Sequence, residues 1–168
     1  MCGKTGRPDS DRSEGLFATI GHAKQGIRPL SCNFFPVMNM PLLRFDLIEG
    51  RSDAELKDLL DAAHRAMLAA FKVPERDRYQ IVNEHKPSRM IIEDTGLDIP
   101  RTDKVVLVQV ITRPRGKKAK KQFYKLLVEE LEKSCGIAPT DVMVSMVENT
   151  DEDWSFGLGR AQFLEGDL

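Results

Sequence analysis

The sequence predicts an α/β fold of the α+β kind: two consecutive β-α-β units that form a four-stranded sheet with two helices on one face. An amphipathic helical segment lies between two strand-like segments in residues 41–83, and the same order recurs in residues 104–148. A helix that crosses between two strands implies that the strands are parallel. With 168 residues, 41% of them apolar, the chain is long enough for one such domain and a tail.

The first unit is recognised by its alternation, its helix start signal and its apolar stripe. Residues 41–48 alternate enough to predict a strand. Ser52 and Glu55 have the spacing of a capping box, which marks the start of a helix that we expect to reach Phe71. A strand of residues 79–83 follows. The helical stripe consists of Leu56, Leu59, Leu60, Ala63, Met67 and Phe71.

The second unit repeats this pattern after a turn-rich connection. Residues 90–93 form a short extended piece within the connection. Residues 104–112 are dense in β-branched side chains and predict a strand. A helix of residues 118–134 follows, and Gly136 is expected to close it because glycine readily adopts the left-handed conformation. Residues 141–148 predict the fourth strand.

The strand of residues 105–111 is apolar on both faces. Two helices can cover only one face of a four-stranded sheet, so the other face needs a cover of its own. A partner chain is the most economical cover, because large exposed apolar patches mark interfaces. We therefore expect a homo-oligomer.

Residues 1–40 differ in composition from the rest of the chain. They hold five of the twelve glycines and show neither a helical nor a strand period, which predicts a flexible extension ahead of a domain of residues 41–168. Two interpretations stay open: the extension is real, or the true start is Met40 and an upstream start has been mis-assigned. In the second interpretation the working protein begins at Pro41, which then carries a free amine.

Composition and motif spacing argue against several classes of function. The formal net charge of -1 gives no general attraction to nucleic acid or to anionic lipid. No apolar run approaches the ~20 residues of a membrane span, and we expect no secretory signal. The three cysteines are widely separated and the three histidines scattered, so we expect a cytoplasmic protein without a metal site.

Arg113 and Arg115 follow the central strand, on either side of Pro114. Residues two apart in an extended chain point the same way, and two guanidiniums aimed together suit a carboxylate or a developing enolate oxygen. The alternative is that both belong to a solvated basic face, because four lysines follow within residues 117–121.

Asp77 and the aromatic tail are the other candidates. Asp77 lies just before the second predicted strand, where a lone carboxylate is most simply structural or solvated. The tail holds Trp154, Phe156 and Phe163, including the single tryptophan of the chain. These rings either dock the tail on the domain or on a neighbouring subunit, or they wall a small-molecule pocket.

Several short motifs occur in collinear order from residue 40 onward. They are Met40-Pro41, residues 42–51, residues 61–67, Asp77-Arg78-Tyr79, Arg113-Pro114-Arg115 and residues 153–157. With them the sequence resembles the malonate semialdehyde decarboxylase subgroup of the tautomerase superfamily. The resemblance implies a tautomerase-like homotrimer that needs no metal or organic cofactor and acts on a small oxo acid.

The resemblance also implies the residues that act. The catalytic group of the family is an amino-terminal proline, exposed when the initiator methionine is removed. By motif, the catalytic residues fall on Pro41, Asp77, Arg113 and Arg115, and the substrate-binding aromatic wall falls on Trp154, Phe156 and Phe163.

Three functions remain open, and they differ in the state of the Pro41 nitrogen. A protonated amine suits a decarboxylase that converts malonate semialdehyde into acetaldehyde and carbon dioxide, with a hydratase side activity. A neutral amine suits a general base for keto–enol tautomerisation of 2-oxo acids such as phenylpyruvate. An internal Pro41 leaves a non-catalytic trimeric binding protein. The charge state stays open, because two arginines and burial lower the pKa of such an amine whereas Asp77 raises it.

Overall fold

The computed structural model of the chain describes residues 40–168, so the predicted extension of residues 1–40 lies outside the described residues except for Met40. Residues 90–93 lie in irregular structure. The main elements are β1 (Leu42–Ile48), α1 (Asp53–Phe71), β2 (Tyr79–His85), β3 (Val106–Thr112), α2 (Lys117–Cys135), β4 (Val142–Glu148) and a short α3 (Gln162–Glu165). Single-turn 3-10 helices cover Pro87–Arg89, Pro139–Asp141 and Asp151–Asp153.

The four strands form one mixed sheet in the order β2-β1-β3-β4. Within each β-α-β unit the two strands are parallel, as the crossover helices predict. The two units meet through antiparallel pairing of β1 with β3, which the sequence did not predict. The predicted fold class is confirmed.

The helix boundaries follow their local signals. The Ser52 hydroxyl accepts a hydrogen bond from the Glu55 backbone N–H at 3.3 Å, and the Ser52 backbone N–H donates to the Glu55 carboxylate at 2.8 Å, so the predicted capping box is present. At the end of α2, Gly136 has φ of 61° and its N–H donates to the Glu132 carbonyl at 3.0 Å. Both signals act within one turn of the chain, which is why the sequence locates them.

The hydrophobic core lies between the two long helices and one face of the sheet. Leu43, Phe45 and Leu47 of β1 are fully buried there, and alternate residues of β3 face the same way. The Phe71 and Phe123 rings of the two helices stack with centroids 4.9 Å apart. The helical stripe is broader than predicted, because the buried set of α1 also includes Ala62, Ala66 and Ala70.

The other face of the sheet is covered by neither of the long helices. Its apolar residues include Ile81 and Val147, which are 43% and 44% exposed. Leu107 and Ile111 of β3 lie on this face and are half-buried, whereas the alternate residues of β3 are fully buried. A loop of residues 91–96 borders this face and forms a cleft with Leu107 and Met143. Apart from that loop, the described residues leave this sheet face open, with its apolar side chains lying beside polar ones such as the paired Asp46 and His85.

Candidate active site

The predicted catalytic residues lie along one edge of the sheet, which here means the side where strands begin or end and not an edge strand. β1 and β2 are parallel and begin at this edge, whereas β3 and β4 end there because β3 runs antiparallel to β1. Leu42 pairs with Tyr79 on one side and with Ile111 on the other. Pro41 and Asp77, which precede two strands, therefore lie at the same edge as the two arginines that follow β3.

Pro41 is buried immediately before β1. The strand register, continued by one residue, places it between Arg78 and Thr112. Its nitrogen forms the peptide bond to Met40, which is 4% exposed. Resonance in a peptide bond removes the lone pair that proton transfer needs. Pro41 can therefore act as an acid or a base only after that bond has been cut.

Asp77 is the buried carboxylate of this edge. It is 3% exposed, and neither carboxylate oxygen has a hydrogen-bond partner among the described residues. Burial raises the pKa of Asp77 to about 6, and the nearby Arg115 charge opposes that rise. A buried carboxylate without hydrogen bonds is costly to keep, so it is a candidate functional group rather than the solvated loop residue that sequence pattern favours.

Arg115 is fixed from three sides. Its Nε–H donates to the Thr112 hydroxyl at 3.0 Å, its guanidinium carbon lies 4.6 Å from the centroid of the Phe71 ring, and its backbone N–H donates to Glu148 at 3.0 Å. Burial lowers the pKa of Arg115 to about 10, an effect that Asp77 opposes and Arg113 reinforces. The guanidinium therefore keeps its charge at neutral pH.

Arg113 forms a two-pronged ion pair with Asp151. The Arg113 Nε lies 2.6 Å from one carboxylate oxygen and Nη2 donates to the other at 3.0 Å. The guanidinium carbon also lies 5.0 Å from the centroid of the Phe163 ring. Both arginines thus have defined, partly buried positions, in contrast to the exposed lysines Lys117 and Lys118 that follow. The solvated basic face proposed as an alternative does not describe them.

The aromatic tail packs beside the arginines. The Trp154 and Phe156 rings stack with centroids 5.4 Å apart, and Phe163 meets Phe156 edge-on at the same distance. Tyr79, at the start of β2, lies 6.5 Å from Phe156. The Trp154 indole N–H is buried without a hydrogen-bond partner among the described residues. The tail therefore docks on the domain and also lines the edge that holds Arg113.

Several residues of this edge were not identified from the sequence. Thr112, Phe71 and Asp151 hold the arginines, and Glu148 binds both the Arg115 backbone and the Lys120 side chain. The acidic run of residues 151–153 is visible in the sequence, but its link to Arg113 depends on how the tail turns back after β4. No local spacing encodes that contact.

A different cleft, of about 350 Å³, lies at the opposite edge of the sheet. Its lining includes Arg51, Lys104 and Cys135 and none of the predicted site residues. The Arg51 guanidinium donates to the backbone carbonyl groups of Ile48 and Lys104, so it is used in holding the loops together. The edge that holds Asp77 is the better candidate for an active site, because the Asp77 carboxylate is buried and has no hydrogen bond among the described residues.

Within residues 40–168, no group of three or more His, Cys, Asp or Glu side chains could hold a metal ion. None of the helices in this part of the chain is long and apolar enough to cross a membrane.

Comparison with known proteins gives consistent matches. A family profile described as "Tautomerase enzyme" matches residues 41–99, and a second profile with the same description matches residues 77–157. The probable tautomerase YrdN of Bacillus subtilis (strain 168) is 59% identical over 129 residues, which are 77% of this chain and all of that protein.

Solved structures match the same part of the chain. A malonate semialdehyde decarboxylase is 60% identical, covers 76% of this chain and 98% of its own, and has a TM-score of 0.74. It was solved as wild type, as a proline-to-alanine variant at its first position, and inactivated, to explain decarboxylase and hydratase activities. Another malonate semialdehyde decarboxylase, inhibited by 3-bromopropiolate, is 38% identical, covers 76% of this chain and 97% of its own, and has a TM-score of 0.72. More distant structures, among them trimers of a fused 4-OT, share the fold alone.

Proposed function

The chain belongs to the tautomerase family, and from this premise we propose that it is a cofactor-independent decarboxylase of a small 3-oxo acid. The proposed reaction converts malonate semialdehyde into acetaldehyde and carbon dioxide, with a hydratase side activity. The observation that carries the proposal is the pair of fixed arginines beside the buried Asp77, at the edge where Pro41 begins β1. The 60% identity to a malonate semialdehyde decarboxylase adds support.

The two arginines are assigned different parts of the substrate. Arg115 interacts electrostatically with Asp77, whereas Arg113 is held further out, against Phe163 and Asp151. We therefore assign Arg115 to the aldehyde oxygen of the substrate and Arg113 to its carboxylate. Trp154, Phe156 and Phe163 supply the apolar wall, which strengthens both charge interactions by excluding water.

In the proposed reaction the bond between the carboxylate carbon and the methylene carbon breaks, and carbon dioxide leaves. The electron pair of that bond forms an enolate whose charge rests on the former aldehyde oxygen. Arg115 and a protonated Pro41 amine stabilise that charge, and they accelerate the reaction because they bind the enolate more strongly than the aldehyde. The methylene carbon then takes a proton from the amine or from water to give acetaldehyde. Asp77 stabilises the protonated amine and orients a water molecule.

Tautomerisation is the second candidate function. The relative YrdN is named a probable tautomerase, and its identity to this chain is 59%. In this reaction a neutral Pro41 amine removes a proton from the carbon next to the carbonyl group of a 2-oxo acid such as phenylpyruvate, and Arg115 stabilises the enol oxygen.

A non-catalytic binding protein is the third candidate. It is favoured by one observation: in the 168-residue chain the Pro41 nitrogen is an amide and Met40 is buried. The arginines and the aromatic wall would then bind an oxo acid without turning it over.

For all three candidates we propose a homotrimer. The open sheet face presents Ile81, Leu107, Ile111 and Val147, and apolar faces of this kind are normally covered by another chain. Trimers occur among the more distant structures with this fold.

The test compares two forms of the protein, the 168-residue chain and a chain that begins at Met40. Mass spectrometry of the purified proteins, and of the protein in its native cells, gives the residue at the amino terminus. Acetaldehyde release from malonate semialdehyde and keto–enol tautomerisation of phenylpyruvate are then measured on both forms, with Pro41→Ala in the shorter form as the control.

The proposal expects the shorter form to begin at Pro41 and to decarboxylate malonate semialdehyde faster than it tautomerises phenylpyruvate. Arg115→Ala should lower decarboxylation sharply while leaving the trimer intact by light scattering. Faster tautomerisation than decarboxylation would support the tautomerase function instead of the decarboxylase function. A native chain that begins at Met1 and binds oxo acids without turnover would support the non-catalytic binding protein.

A further inference from the structure

The ion pair between Arg113 and Asp151 joins two segments that are distant in sequence. Arg113 follows β3, and Asp151 opens the 3-10 turn after β4. The backbone N–H of Asn149 donates to the Thr112 carbonyl at 3.0 Å, which brings the turn alongside the end of β3. The Asp151 carboxylate then meets the guanidinium through two contacts, at 2.6 Å and 3.0 Å. Two-pronged pairing of this kind fixes the plane of a guanidinium as well as its position.

We propose that Asp151 is a positioning residue, which holds Arg113 in the orientation that binds the substrate carboxylate. The inference rests on the proposed function, because it gives Arg113 an oxo acid to bind. Asp151 holds the Nε side of the guanidinium and Phe163 packs against the group, so the guanidinium is oriented by a charge and by a ring. Asp151 itself is not assigned any contact with the substrate.

A purely structural role for Asp151 would be to close its own turn, but that turn is closed by other residues. The Asp153 carboxylate accepts hydrogen bonds from the Thr150 backbone N–H at 2.7 Å and from the Thr150 hydroxyl at 3.0 Å. The Asp153 N–H donates to the Thr150 carbonyl at 3.2 Å. Asp153 thus holds the turn together, whereas Asp151 holds Arg113. A substitution at Asp153 is therefore the matched control for one at Asp151.

Charge balance gives Asp151 a second effect on the same arginine. Arg113 and Arg115 are close enough for the Arg113 charge to disfavour the charged form of Arg115. A carboxylate on the outer arginine offsets part of that repulsion, so both guanidiniums can be held at one edge. Without Asp151, we expect the Arg113 guanidinium to turn away from Arg115.

The test is a double-mutant cycle on the protein in its native amino-terminal form. Asp151→Asn should raise KM for malonate semialdehyde about 10- to 100-fold, because a hydrogen bond to a charged group is lost, with kcat changed less than about threefold. Asp153→Asn should change KM less than about threefold. In an Arg113→Lys background, Asp151→Asn should add less than about threefold, because residues that act as one unit are not additive. Equal effects of Asp151→Asn and Asp153→Asn, or full additivity with Arg113→Lys, would overturn the inference.

A second measurement does not depend on turnover. The Arg113 Nε–H resonance is assigned by its loss in Arg113→Lys, and its exchange with water is followed by NMR. Asp151→Asn should speed that exchange at least about tenfold while Asp153→Asn leaves it unchanged. If the wild-type protein turns over no oxo acid, the proposed function fails, and faster exchange in Asp151→Asn still supports the positioning of Arg113. Unchanged exchange overturns the positioning role whether or not the protein is active.

Discussion

Replacing Asp77 with asparagine should stabilise the 168-residue chain at neutral pH. The pKa of Asp77 is raised from 3.8 to about 6, so between these values the folded protein binds more protons than the unfolded one. Stability therefore falls as the pH rises through that window and stays constant above it. Each pH unit of the window is worth about 1.4 kcal/mol, so the ionised carboxylate costs the folded state about 3 kcal/mol at neutral pH. Asparagine resembles the protonated acid and does not carry that cost.

The assay is urea unfolding, followed by circular dichroism and by the fluorescence of Trp154, at equal protein concentrations. Asp77→Asn should gain up to about 3 kcal/mol near pH 7.5 and less than about 1 kcal/mol near pH 4, where wild-type Asp77 is protonated in the folded state and partly protonated in the unfolded state. The control is Asp153→Asn. Hydrogen bonds from Thr150 lower the pKa of Asp153, so this variant should lose stability relative to wild type as the pH rises.

A loss of stability in Asp77→Asn near pH 7.5, or a gain that does not depend on pH, would refute the reasoning. A chain that begins at Pro41 should behave differently. A protonated amine beside Asp77 would lower the pKa of that carboxyl, so the gain on substitution should be smaller than in the 168-residue chain.

Three further predictions concern the arginine support, the open face and the first helix. Thr112→Val should lower kcat for decarboxylation about tenfold with the fold intact by circular dichroism, because it removes the acceptor for the Arg115 Nε–H; unchanged kcat would contradict this. Ile111→Lys should convert the proposed trimer into monomers in sedimentation velocity, because it places a charge on the open sheet face; a persisting trimer would locate the interface elsewhere. Ser52→Ala should cost about 1 kcal/mol of unfolding free energy, measured with urea, and leave turnover unchanged; an equally stable variant would show that the capping box contributes nothing.

The sequence predicts the parts of the fold that depend on neighbouring residues. The capping box at Ser52 and the closing Gly136 act within a single turn, and the crossover helices determine that each unit has parallel strands. The antiparallel pairing of β1 with β3 depends on how two complete units meet. No periodicity within either unit carries that information.

The candidate site also has one part that the sequence predicts and another part that it does not. The resemblance identified Pro41, Asp77, Arg113 and Arg115 by their motifs, and the fold brings all four to one edge, where their catalytic roles remain a proposal. The sequence did not predict which residues hold the two arginines in place. Thr112 looks like an ordinary strand residue, and Asp151 lies 38 positions from Arg113, so their contacts exist only once β3, β4 and the tail are in register.

The two β-α-β units are so alike that the sheet has an internal pseudo-twofold axis between β1 and β3. All four strands have seven residues and both long helices have nineteen. Under this symmetry the start of β1 corresponds to the start of β3, and Asp77, two residues before β2, corresponds to Asp141, which directly precedes β4.

Both aspartates are buried, but only one is satisfied. The Asp141 carboxylate accepts hydrogen bonds from the Thr102 backbone N–H and from the Thr102 hydroxyl, each at 2.7 Å, whereas Asp77 accepts none among the described residues. The same topological position thus holds a hydrogen-bonded aspartate in one half of the molecule. In the other half it holds a buried carboxylate that interacts electrostatically with Arg115 but accepts no hydrogen bond among the described residues. The two halves share a scaffold, so Asp141 shows how an aspartate at this position can be satisfied by hydrogen bonds. The candidate functional carboxylate, Asp77, lies where the symmetry between the halves is broken.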